Sequence, residues 1–211
     1  MQAAGQQRSV TGLWMLSAFG IALLIAGVVL VRSGDGEQGT LLGLRLTARW
    51  SYLWFWLAYT AGAWATLLGG RVRALAPRAR DFGLAFAAAH LVHIALVVWL
   101  YQVAVHPPGT GTLEFFGVAV FFTYLVALLS FRHIAAPLPA RAVSVIRTIG
   151  VEYIALAFLV DFARNPFGGS LLHALSYGPF LGLGLLAYAL RLTALARRHV
   201  QRAGIGAAPG A

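Results

Sequence analysis

The sequence predicts an all-α polytopic membrane protein, a six-transmembrane-helix bundle, on three observations. Hydrophobic residues make up 60% of the 211 residues and charged residues only 10%. Mean hydropathy is +0.78, and the apolar residues fall into runs close to the roughly 20 residues that span a bilayer core. The arginines collect between those runs. Residues 1–211 read as a single transmembrane domain, with no soluble domain expected before or after it.

The first span is expected at 10–31. Its apolar run exceeds the roughly 7 to 15 residues of a signal-peptide core, and no clear small-residue cleavage site follows, so it reads as a retained helix. Next comes "GDGEQGT" at 34–40, a loop with no strand and helix around it to make a nucleotide fingerprint. The second span is expected at 50–69, with Trp50, Tyr52 and Trp54 near its start as an interfacial aromatic belt. Spans at 82–104, 113–131, 145–163 and 171–196 complete the six. In the last, Gly178 and Gly182 lie one turn apart beside Pro179, a pattern for close helix packing with a kink.

Orientation follows from the 16 basic residues, all arginine. With the N-terminus inside, Arg8, Arg71, Arg73, Arg78, Arg80, Arg132, Arg141, Arg147, Arg191, Arg197, Arg198 and Arg202 are cytoplasmic, leaving Arg32, Arg45, Arg49 and Arg164 outside. Basic residues in short loops are retained in the cytoplasm, so both termini are expected there, in a bacterial-type inner (cell) membrane. The net charge of +10 does not point to nucleic acid, because the arginines lie between apolar runs rather than on one solvated face. With no cysteine, disulfides, thiolate metal sites and cysteine nucleophiles are excluded.

Two imidazoles interrupt the third span. Entering near Phe82, the helix carries His90 roughly 12 Å deep and His93 roughly 16 Å deep, beyond the reach of snorkelling. Three residues apart, they share nearly one face, and ionisable groups at such depth turn inward. Two readings stand. A neutral imidazole ligates haem iron well, and a pair of neutral histidines hydrogen-bonded to neighbouring helices suits the same pattern.

The segment "RDFGLAFAAAHLVHIALVVWLY" resembles the third span of the ferric-reductase-like transmembrane domain family, which includes bacterial membrane haem b subunits. Arg80, the step Phe82-Gly83-Leu84 and His93 carry the likeness. The stretch "RLTARWSYLWFWLAYTAGAWATLL" is similar to that family's second span, so the resemblance covers about residues 43–198. It implies b-type haem with His93 as iron ligand and His90 beside it. It also implies electrons taken from quinol or a separate redox subunit, and no nucleotide or flavin module lies in this chain. The chain departs from the family in the fifth span, "SVIRTIGVEYIALAFLVDF", which keeps a tyrosine, Tyr153, but has no histidine. The opposing position falls on Arg147 or Ile149, and neither offers a lone pair to iron. His173 is the best remaining partner, although it stands about 10 Å or more from the level of His93. His106, His133 and His199 read as interfacial.

Within that fifth span, Glu152 falls near the depth of His90. It reads either as the partner of His90 or as a protonated carboxyl bonded to a backbone carbonyl. Asp161 lies on the opposite face near Arg164, an expected solvated ion pair. Three functions follow as expectations: a haem b electron-transfer subunit, a haem-less membrane scaffold or partner subunit, and a proton-coupled transporter. The transporter lacks the broken helices in matching halves that such folds use.

Overall fold

The computed structural model describes residues 2–164, 166 and 169–206. Met1 and 207–211, the ends of the expected single domain 1–211, lie outside the described residues. So do the side chains of Arg8, Arg71 and Arg202, three arginines of the orientation count. Every regular element among the described residues is helical. They run α1 (Gln2–Ser33), α2 (Glu37–Leu68), a 3-10 segment (Gly70–Arg78), α3 (Ala79–Val103), α4 (Thr110–Leu129), the short α5 (Arg132–Ala135), α6 (Ala140–Ala163) and α7 (Leu171–Gly206).

Five helical stretches are long and apolar enough to cross a membrane: Val10–Ser33, Val72–Val103, Thr110–Leu129, Ala140–Ala163 and His173–Gln201. Their outward faces are oily. Only 22% of the first and 17% of the third is buried inside the chain, and Leu13, Leu16 and Val31 stand largely bare. Apolar surface of that extent is compatible with helices that cross a membrane. Helix α2 is not among the five. Its Trp, Tyr, Thr and Gly residues score low on hydropathy, and its contacts are with other helices.

Small residues set the packing. Ala18, Ala22 and Ala26 of α1 meet Ala85, Ala89 and Val92 of α3, a spacing that lets two backbones approach closely. The Trp50 indole closes the same corner by donating to the Ala18 carbonyl at 2.9 Å. Helices α2 and α3 run antiparallel along a continuous seam. Added Cβ atoms would meet Leu96 Cδ1 at 3.3 Å from Gly43 and Ala58 Cβ at 3.9 Å from Gly83. Between those ends Thr47 faces His93, Ser51 faces His90 and Phe55 faces Phe86.

The other half pairs α4 with α6, where Gly150 faces Phe122 and Val126. Helix α7 joins the halves. Trp56 of α2 donates to its Leu183 carbonyl at 2.8 Å, and Gly184 lies against Leu159 of α6 and the Tyr52 hydroxyl. Tyr52, Phe55, Phe86, Phe158 and Phe162 fill the junction. Helices α3 and α4 meet only lightly, which leaves a cleft between the halves.

Three expectations need correction. Helix α2 begins at Glu37 rather than near residue 50, so the second half of "GDGEQGT" is helical; Glu37 favours the helix N-terminus by charge, and its carboxylate accepts the Val105 N–H at 3.2 Å. Trp50, Tyr52 and Trp54 do not form an interfacial belt, because Tyr52 is buried and the two indoles pack edge to face between α1 and α3. In α7 Gly184 makes a close approach, while Gly182 faces open space.

Candidate functional site

The two histidines sit in the α2–α3 seam. His90 is buried and its Nδ1 lies 3.1 Å from Ser51 Oγ. His93 Nδ1 lies 3.3 Å from Thr47 Oγ1. Hydroxyls four residues apart on α2 thus meet imidazoles three residues apart on α3, as antiparallel helices at close range require. Both hydroxyls are already spent as donors. Thr47 donates to the Gly43 carbonyl at 2.8 Å and Ser51 to the Ala48 carbonyl at 3.0 Å. Each imidazole therefore donates from Nδ1, which leaves Nε2 as its acceptor atom. The rings stack on one another with centroids 4.9 Å apart and planes 20° apart. Phe86 and Phe158 close the far side of His90.

Glu152 is not the partner of His90. Its Oε2 accepts the Tyr59 hydroxyl at 2.8 Å, and its Oε1 pairs with Arg191 Nη2 at 2.5 Å. The guanidinium also lies 4.2 Å over the Tyr59 ring. A permanent cation satisfies a carboxylate better than a neutral imidazole does, so α7 captures the group. Nor is Glu152 deeply buried, since its side chain is 39% exposed against 30% for Arg191. This three-helix cluster of Tyr59, Glu152 and Arg191 escaped sequence reasoning, which counted Arg191 among the cytoplasmic arginines. The signal was there: Arg191 stands six residues ahead of the Arg197-Arg198 pair, roughly 9 Å further into the span.

Arg49 is a second surprise. Expected outside, it is buried in α2, donating from Nε to the Ser176 carbonyl at 2.8 Å and from Nη1 to the Arg45 carbonyl at 2.6 Å. Its guanidinium lies 4.7 Å over Tyr177, on which His173 stacks at 4.4 Å. The expected Asp161–Arg164 ion pair is not formed among the described residues; Arg164 lies 5.6 Å over the Phe116 ring. Tyr153 donates to the Phe115 carbonyl at 3.1 Å, tying α6 to α4. His133 packs beside Phe131, and His106 and His199 are exposed.

This geometry can be tested against haem. Two axial imidazoles approach iron end-on from opposite faces of the porphyrin, whereas His90 and His93 leave one helix and stack face to face. As a pair they do not fit. Beside His93 the helices run close, since an added Cβ on Gly43 would meet Leu96 Cδ1 at 3.3 Å. No family model, no curated protein and no solved structure matches the chain.

Proposed function

We propose that this chain is a haem-less membrane scaffold or partner subunit, a six-span bundle that resembles the ferric-reductase-like domain in its second and third spans. One observation carries the reading: His90 and His93 are stacked on each other, with both Nδ1 atoms committed to α2 hydroxyls. Imidazoles so held clasp two helices together and present no opposed pair to an iron. Each clasp satisfies a polar group that would be costly to bury unpaired in hydrocarbon.

Helix α2 serves as the sixth span. From Gly43 to Ala58 it lies alongside Leu96 to Gly83 of α3, so it traverses the depth that α3 traverses. An even span count then puts both termini on one side; the arginine bias supports reading that side as the cytoplasm, in what we take to be a bacterial-type inner membrane.

The test is optical. Protein produced with haem precursor and iron supplied, then purified in mild detergent, is expected to show no Soret band near stoichiometry. A band that shifts on dithionite and vanishes in His93→Ala would overturn the reading and restore the electron-transfer subunit, with quinol or a separate redox subunit as donor.

A further inference from the structure

The cleft between the two halves opens into a cavity of about 340 Å³, at the lower end of the ~300–1,000 Å³ typical of small-ligand pockets. Its walls are hydrocarbon: Phe55, Phe86, Val126, Val151 and Ile154. Yet three guanidiniums, those of Arg80, Arg147 and Arg191, line the same space. An oily wall with several cations beside it is the complement of an amphiphile with an anionic head.

The arginines are held in place before any ligand arrives. Arg80 Nε donates to the Ser130 carbonyl at 2.9 Å, and Arg147 Nη2 donates to the Leu129 carbonyl. The two oxygens lie at the C-terminal end of α4, on its last residue and on the capping residue after it, where a cation is favoured by the helix dipole. Each guanidinium has five N–H donors, so most stay available after these bonds. Charge is left over as well. Three arginines against Glu152 and Asp81 leave one positive charge even when both acids are counted in full. Asp81 counts for less than that, because it stands 4.0 Å from Arg80 and accepts the Thr11 hydroxyl at 2.7 Å. Arg191 is the arginine already neutralised, by Glu152 at 2.5 Å. Arg80 and Arg147 are those with capacity for an anion.

The geometry points to a site for one anionic phospholipid in the α3–α4 cleft, its phosphate on Arg80 and Arg147 and one acyl chain against the apolar wall. The site lies where α3 begins and α4 ends, the level at which a membrane helix meets the headgroups. Basic pockets between spans on a cytoplasmic side recognise acidic lipid heads in this way. This inference does not depend on what His90 and His93 do, so it stands or falls apart from the proposed function.

Native mass spectrometry of the detergent-purified chain, titrated with dioleoyl phosphatidylglycerol or with dioleoyl phosphatidylcholine, tests it. The expected result is one tightly bound phosphatidylglycerol, displaced neither by phosphatidylcholine nor by inorganic phosphate. Arg80→Gln and Arg147→Gln should each weaken it by about fivefold, the scale for one basic side chain against an acidic lipid surface. Arg141→Gln, at an exposed arginine outside the cavity, should leave it unchanged. Ala127→Phe should block it by filling the cavity while keeping every charge. Variants are compared at equal helicity by circular dichroism; should Arg147→Gln fail to fold, Arg80→Gln carries the same test. Equal binding of the two lipids, equal losses in Arg141→Gln and Arg147→Gln, or full competition by inorganic phosphate would overturn the site.

Discussion

The Glu152–Arg191 pair offers the sharpest test of how the bundle is held. Removing either partner breaks a charge-assisted contact at 2.5 Å between α6 and α7. Hydrogen bonds to charged groups contribute about 1.5–3 kcal/mol in mutational series. That range must be discounted, because both side chains are about a third exposed, and polar contacts between membrane helices average only about 0.6 kcal/mol with a maximum near 1.7. A coupling of about 1 kcal/mol is therefore expected. Glu152→Gln should cost about 1 kcal/mol, since the amide oxygen still accepts from Tyr59. Arg191→Gln should cost more, about 1.5–2 kcal/mol, because it also removes the cation over the Tyr59 ring at 4.2 Å. The double variant should lose less than the sum by about 1 kcal/mol. Reversible unfolding in mixed micelles, followed by circular dichroism, measures all three. Strict additivity within about 0.3 kcal/mol would refute the pair as a stabilising contact. Combining Glu152→Gln with His90→Ala gives the contrasting control: the two groups share no partner, so their costs should add within about 0.5 kcal/mol.

Gly150→Ala would bring a Cβ to 2.9 Å from Val126 Cγ2 and 3.0 Å from Phe122 Cδ1, so thermal unfolding should show a loss of about 1–3 kcal/mol from overpacking, partly recovered by adding Val126→Ala. Thr11→Val removes the donor that reaches buried Asp81 at 2.7 Å and should cost about 1–3 kcal/mol in the same assay; no loss would mean that Asp81 is satisfied elsewhere. Ser51→Ala leaves the buried His90 Nδ1–H without its acceptor and should cost a similar ~1–3 kcal/mol.

Much of the fold was legible because hydropathy is a one-dimensional property. The apolar runs at 10–31, 82–104, 113–131, 145–163 and 171–196 each lie within a helix or overlap one closely. The second run was harder. Its true start lies 13 residues before Trp50, where Gly43 packs against α3 and Arg49 reaches α7, contacts that leave no local mark. An arginine that reads as a loop residue becomes a core residue when a neighbouring helix offers it carbonyl oxygens and an aromatic face.

The site shows the same division between depth and direction. Counting residues from the membrane edge put Glu152 and His90 near one level, and depth is all that such a count provides. Which neighbour each side chain meets depends on how α6 is rotated and which helices flank it. Helix α6 lies between α4 and α7, and its carboxylate turns to the guanidinium on α7. His90 faces the opposite seam, where α2 supplies two hydroxyls four residues apart. That hydroxyl spacing, Thr47 and Ser51 against His93 and His90, was readable from the sequence as a matched pair of polar stripes. Sought as helix-to-helix complements rather than as ligands for a common iron, the two histidines identify α2 as the partner of α3 without any cofactor between them.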